Sequence, residues 1–276
     1  MNQHLIFMDI DGTLVDRDLC ISEQNKHTIE RLIDAGHIVY VATGRKYQAA
    51  KEISQQLHQN VHVVASNGCV YEFGDELHVS GIEQKTVHTI FQVAKRHDAA
   101  LFFFGLEKTF YTNHLPTYFS KEDCARVKSG QDSQLILADT LQKINTHISD
   151  IVNGIIISEE NIELLEKIKA DLQPIDTLEL SSSHINNIEL TPDGITKACA
   201  IEQLQQRFQI SKEQTIAFGD GKNDLEMFAV SGISVAMDNA PSEVKAHARF
   251  TTRSNKESGI SYFLENYFNN DKELYI

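Results

Sequence analysis

The chain has 276 residues, 41% hydrophobic and 23% charged, which excludes wholesale disorder and leaves side chains for one large core or two unequal ones. Its 25 Lys and Arg against 39 Asp and Glu give a formal net charge of −14, and with no basic patch to offset it, nucleic acid and anionic membranes are excluded as partners. The cysteines Cys20, Cys69, Cys124 and Cys199 have neither CxxC nor zinc spacing, the chain opens on strand-like residues, and no apolar run nears the ~18 residues that span a bilayer. A reduced, cytoplasmic protein is expected.

Residues 5–8, LIFM, are apolar throughout and predict a buried strand, which runs into Asp9-Ile10-Asp11-Gly12-Thr13. Ser22 is a good N-cap for a helix carrying Ile29, Leu32 and Ile33 and stopped by Gly36. The segment HIVYVATGR from 37 repeats the theme: an apolar strand, a small polar turn at Thr43-Gly44-Arg45, then a helix with Ala49, Ala50, Ile53 and Leu57 at helical spacing. VHVVASNG from 61 does so a third time. Strands that are apolar throughout and alternate with amphipathic helices predict an α/β fold with a doubly wound, Rossmann-like parallel sheet covered on both faces.

After Gly68 the pattern changes. CVYEF and ELHVS flank Gly74-Asp75 as a hairpin, and the residues from about 82 to 190 mix helix patterns with strands such as LFFF and GIIIS. The first rhythm returns with GITKACAIEQLQQRF at 194, the strand TIAF, then GDGKND and GISVAM. The expected organisation is a core domain of residues 1–81 plus 191–276, interrupted by an α+β module of residues 82–190.

Polar residues collect at the ends of these strands, where open α/β sheets bind ligands. Residues i and i+2 of a strand share a face, so Asp9 and Asp11 begin on one side, and two carboxylates together need a cation. Asp220 at the end of another strand adds a third oxygen ligand, and a hard site of few carboxylates, a carbonyl and waters suits Mg2+. Lys197 opens a helix, where a cation opposes the macrodipole; it either points into water or is held by an anion. Thr43, Gly44 and Asn223, expected beside it, favour an anion, and phosphate is the anion that also attracts Mg2+. GDGKND lacks the third glycine of a dinucleotide loop and the Ser or Thr of a P-loop, which argues against both.

DIDGT with its following apolar pair, ATGR, SNG, the helix-opening lysine and GDGKND, in that order, resemble the motifs of the haloacid dehalogenase-like hydrolase superfamily and, within it, the Cof-type sugar phosphatases. The segment between the second and third motifs resembles, by position and length, the α/β cap of the type-IIB subgroup. The resemblance implies a Mg2+-dependent phosphatase with Asp9 as nucleophile and Asp11 as general acid and base. It implies phosphoryl binding by Thr43, Gly44, Lys197, Asn223 and the N–H of Ile10. Asp9, the main-chain carbonyl of Asp11 and Asp220 are then the metal ligands, and Asp224 orients its neighbours. The implied substrate is a small phosphorylated metabolite, a sugar or polyol phosphate, selected by the cap; oligomeric state is left open. A phosphomutase using the same aspartyl-phosphate, and a silent metabolite-binding regulator, are the alternatives. Two departures stand out: Thr196 precedes the lysine where serine is common, and Asp238 occupies a position where glycine is frequent, making a left-handed turn there less comfortable. By position, Ser181 to Asn187 is a further candidate for contact with the leaving group, and one ring of Phe102 to Phe104 for contact with substrate.

Overall fold

The computed structural model describes residues 3–16, 20–113, 115, 134–158, 161–182 and 185–269. Residue contacts divide the chain into one unit of Met1–His78 with Thr196–Ile276 and a second of Val79–Ile195.

The first unit holds β1 (Leu5–Met8), β2 (Ile38–Ala42), β3 (His62–Ala65), β4 (Val70–Phe73) and β5 (Glu76–Val79), and later in the chain β12 (Thr215–Gly219), β13 (Ile233–Ala236) and β14 (Phe250–Thr251). They form one sheet in the order β14-β13-β12-β1-β2-β3-β4-β5. Pairing is parallel from β14 to β3 and becomes antiparallel where β4 meets β3. The expected parallel sheet is thus extended by a hairpin. The reason is covalent: only the four residues 66–69 separate β3 from β4, and a parallel crossover needs a dozen residues or more.

Side chains alternate across the parallel strands. Leu5, Phe7, Tyr40, Ala42 and Ala217 pack with Ile201 and Leu204 of the helix Lys197–Phe208 and with Met227 and Phe228 of the helix Leu225–Ala229. The neighbouring Phe218 meets the ring of Phe263 at 5.5 Å, on the helix Gly259–Phe268. Each such apolar side chain stabilises the fold by ~1.5–3 kcal/mol on burial. The first helix runs Glu23–Asp34 and is capped by Ser22, whose hydroxyl accepts from the N–H of Asn25 at 3.2 Å. Its buried face also carries Asn25 and Thr28, matched to Ser261: Asn25 accepts from the Ser261 N–H at 3.0 Å, and the two hydroxyls lie 2.7 Å apart.

The second unit is an α+β layer. Its strands are β6 (Ala100–Phe104), β7 (Thr109–Tyr111), β8 (Leu135–Leu137), β9 (Asn153–Ile157), β10 (Leu178–Ser181) and β11 (Asn187–Pro192), in the order β10-β11-β9-β6-β7-β8. All pairs are antiparallel except β7 with β8. Helices Gln84–Arg96 and Ile162–Leu172 cover one face, where Val87, Ile90, Leu165 and Ile168 pack on Leu101, Phe103 and Ile156. The alternation puts Phe102 and Tyr111 on the other face with Ile155 and Ile157.

Among the described residues, no helix is long and apolar enough to cross a membrane. Among the described residues no disulfide joins Cys20, Cys69 and Cys199; Cys124 lies outside the described residues.

Candidate active site

Strand β1 sits between β2 and β12, so strand order reverses direction at the junction of β1 with β12, and the crevice beyond their carboxyl ends is where such a sheet receives ligands. The N–H of Asp9 donates to the carbonyl of Phe218 at 2.9 Å, extending the ladder one residue and setting Asp9 beside the end of β12. The chain then turns tightly, with the Ile10 carbonyl accepting from Leu14 and Val15, each at 3.0 Å. This turn separates the two aspartates that strand periodicity puts on one face. Asp9 goes in and is 5% exposed; Asp11 goes out, its side chain 56% exposed, with both carboxylate oxygens taken by Arg45. Period two holds only while the strand lasts, and β1 ends at Met8.

Lys197 is the first residue of its helix, whose N-cap Thr196 accepts from the Cys199 N–H at 3.4 Å. Its side chain is fully buried, and the anions that hold it are carboxylates: Nζ donates to Asp9 Oδ1 at 2.6 Å and to Asp224 Oδ1 at 2.7 Å. Asp224 uses its other oxygen to accept from the N–H groups of Asp220 and Gly221, each at 3.0 Å. It is completely buried and ties the β12 loop to the lysine. Asp220 is half-buried; Oδ1 accepts from the Thr13 hydroxyl at 2.9 Å and Oδ2 from Asn239 at 3.4 Å. Gly12 has φ +81° and lies so close to Asp220 that a Cβ there would overlap the carboxylate.

The charges do not balance within the protein. Carboxylate oxygens of Asp9, Asp220 and Asp224 lie within 4.8 Å of one another, and one ammonium pairs with Asp9 and Asp224. Burial pushes Asp9 up from 3.8 to about 7; Lys197 opposes the rise, and Asp224 and Asp220 add to it. Burial likewise raises Asp220 from 3.8 to about 6, with the Thr13 hydrogen bond opposing and Asp224 adding. Burial works against the charge of Lys197, but Asp9 and Asp224 outweigh it and hold the ammonium above the ordinary lysine range. A divalent cation with hard oxygen ligands fits this surplus of negative charge. Asp9 and Asp220 have room for it, whereas Asp224 is committed to the lysine and two amides. The outward side chain of Asp11 leaves only its main-chain carbonyl for a metal.

The other expected phosphate ligands differ in exposure. Thr43 is buried, its Oγ1 accepting from the Arg45 N–H at 3.2 Å, while Gly44 and Asn223 are exposed. Ile10 is fully buried, yet its N–H donates to no protein acceptor among the described residues, the condition of a donor awaiting a ligand. Asp238 is not left-handed, so the turn that an aspartate would make less comfortable does not arise; its carboxylate pairs with Lys245 at 2.8 Å. Ser181 to Asn187 belongs to the second unit, where the Ser182 hydroxyl donates to the Asn187 carbonyl at 2.8 Å; residues 183 and 184 lie outside the described residues. Phe103 is core, and Phe102 lies on the opposite sheet face.

Sequence reasoning gave Arg45 no role, although its guanidinium two residues after Thr43 was the available signal. Asn67 was read only as part of a motif.

A family profile described as haloacid dehalogenase-like hydrolase matches residues 6–264. The chain is 29% identical, over 96% of its length and 97% of the relative's, to the Bacillus subtilis 5-amino-6-(5-phospho-D-ribitylamino)uracil phosphatase YitU. Its fold is similar to that of TM0651 from Thermotoga maritima, with TM-score 0.81 and 23% identity over 96% and 97% of the two chains. It is also similar to that of the HAD subclass IIB sugar phosphatase BT4131, with TM-score 0.75 and 23% identity over 96% and 99%. With the profile covering nearly the whole chain and the carboxylates converging at the β1–β12 junction, the protein belongs to the haloacid dehalogenase-like hydrolase family.

Proposed function

We propose that the protein is a Mg2+-dependent phosphatase that hydrolyses phosphomonoesters of small metabolites, sugar or polyol phosphates, through an aspartyl-phosphate. The observation that carries this reading is Asp9: a buried carboxylate at the switch point, fixed by Lys197 and facing the Asp220 cluster. The substrate class draws on the Bacillus subtilis relative, whose name specifies a phosphorylated ribityl chain.

In this reading one Asp9 oxygen attacks phosphorus in line. The new bond is Asp9 O–P; the bond to the leaving oxygen breaks, and that oxygen takes a proton from Asp11. Water then attacks the aspartyl-phosphate, gives its proton to Asp11, and inorganic phosphate departs. Lys197, Thr43, Gly44, Asn223 and the N–H of Ile10 bind the equatorial oxygens, where the developing charge sits. Asp9, Asp220 and the main-chain carbonyl of Asp11 would hold Mg2+, which would supply positive charge beside Asp9 and the phosphate dianion. Asp224 acts through Lys197, keeping the ammonium aimed at Asp9.

The test is phosphate release from a panel of sugar and polyol phosphates, with and without EDTA. Activity is expected to need the metal and to vanish in Asp9→Asn; turnover that survives both treatments overturns the reading.

A further inference from the structure

The turn between β3 and β4 has a backbone that its packing alone does not explain. Ser66, Asn67 and Gly68 have φ of 51°, 54° and 99°, three left-handed residues in succession. Gly68 has a local reason, since a Cβ there would overlap the carbonyl of Thr196 at the start of the Lys197 helix. Ser66 and Asn67 are ordinary L residues in a conformation they rarely adopt. The Ser66 N–H donates to the Arg45 carbonyl at 2.8 Å and the Asn67 N–H to the Thr43 carbonyl at 3.0 Å. One strained turn is therefore hydrogen-bonded twice to the 43–45 segment, which carries two of the proposed phosphate ligands, and packs closely against the start of the Lys197 helix.

The Asn67 side chain is placed with equal care and has no hydrogen-bond partner among the described residues. Its carboxamide lies against Gly44, with Oδ1 3.0 Å and Nδ2 3.4 Å from the position a Cβ on Gly44 would occupy. Only the missing side chain of Gly44 allows this approach. Oδ1 is enclosed with no hydrogen-bond partner, and Asn67 as a whole is half-buried. The left-handed backbone is a standing cost to the free protein, and since a phosphate oxygen only accepts, the amide group that can serve it is Nδ2, beside the unpaired Oδ1. Such costs persist where a ligand makes them useful. The neighbour of this amide is Gly44, whose own N–H has no protein acceptor among the described residues.

We propose that Asn67 is a phosphoryl-binding residue, its Nδ2 donating to an oxygen of the transferring group beside the N–H of Gly44. This rests on the phosphatase reading given above. The strained turn then has a purpose: it holds a neutral donor rigidly at the rim, so that little ordering is required when phosphate arrives.

The experiment compares the intact, Mg2+-loaded protein with Asn67→Gly and Asn67→Asp. The readouts are kcat/KM for p-nitrophenyl phosphate, inhibition by orthovanadate, calorimetric binding of inorganic phosphate, and Tm. Glycine accepts the left-handed backbone without strain, so Asn67→Gly is expected to keep or raise Tm, to lose about tenfold in kcat/KM and to bind vanadate and phosphate about tenfold more weakly. Asn67→Asp keeps the shape and tolerates the same φ but presents a negative charge; its loss is expected to be larger, about a hundredfold. Folded Asn67→Gly with wild-type kcat/KM, or with reduced turnover but unchanged vanadate and phosphate binding, overturns the proposal. Absence of turnover in the wild-type protein defeats the phosphatase reading instead, and phosphate calorimetry on wild type and Asn67→Gly still decides the contact.

Discussion

Arg45 grips Asp11 through both carboxylate oxygens, Nε to Oδ2 at 2.7 Å and Nη2 to Oδ1 at 2.5 Å. The hydrogen bonds to Asp11 raise Arg45 above its ordinary range, so the guanidinium stays charged and the fork geometry fixes where the carboxylate points. In the proposed chemistry that carboxylate handles the leaving-group proton. Arg45→Ala is expected to lower kcat about tenfold on alkyl phosphates, whose alkoxides need protonation, and to change kcat little on p-nitrophenyl phosphate, whose phenolate leaves unaided. Equal losses on both substrates would assign Arg45 another task.

Lys197 answers two buried carboxylates at once, and removing it leaves Asp9 and Asp224 facing each other with no cation. Lys197→Met is expected to abolish turnover and to cost about 3–5 kcal/mol of stability, as for one partner lost from a buried ion pair. Mg2+ should raise the Tm of this variant more than that of the wild type. Thermal unfolding with and without Mg2+ checks both statements.

The raised carboxyls give the metal-free protein an unusual pH response. Asp9 at about 7 and Asp220 at about 6, both from 3.8, keep protons in the native state that the unfolded chain has already released. The unfolded state binds fewer protons across that window, so these groups make stability fall as pH rises from about 4 to about 7. His37, lowered by burial to about 4, has the opposite sign: its contribution is lost as pH falls from 6.5 toward 4. Mg2+ at the proposed site would act on the aspartates and not on His37. The Mg2+-induced gain in Tm is therefore expected to grow between about pH 5 and about pH 7.5, and a gain independent of pH would contradict this placement of the metal.

Gly12 is where backbone and metal site meet. Gly12→Ala forces a Cβ onto the Asp220 carboxylate at φ +81°. A loss of about 1–3 kcal/mol is expected in denaturant unfolding, together with weaker Mg2+ binding in a calorimetric titration. Wild-type Mg2+ affinity would show that Asp220 moves aside without cost.

Local chemistry was the legible part of this sequence. Ser22 caps the helix for which the sequence offers it, and the apolar strands before Asp9, Thr43 and Asp220 form a sheet whose carboxyl ends meet. Lys197 was read as held by an anion, but the sequence offered phosphate where the structure has carboxylates, because an ammonium is satisfied by whichever anion burial brings to it.

What stayed hidden depended on partners distant in the chain. Asn25 and Thr28 interrupt the apolar face of the first helix and become intelligible only with Ser261 opposite. Asp11 shares a face with Asp9 on any strand template, and the Ile10 turn that parts them is set by hydrogen bonds, which hydropathy does not encode. The hairpin after Gly68 is visible in the sequence as a hairpin, while its pairing with β3 follows from the brevity of a four-residue link.

The pairing of β1 with β12, Leu5 opposite Thr215, also governs when the protein can first work. During synthesis the nucleophile emerges among the earliest residues, but the strand that seats it follows about 200 residues later, ~10–40 s at ordinary translation rates. Until then one edge of β1 is bare, exposing an apolar template to wrong partners. Nascent chains stalled before Thr215 should therefore be inactive and dependent on chaperones, whatever their N-terminal half has already built.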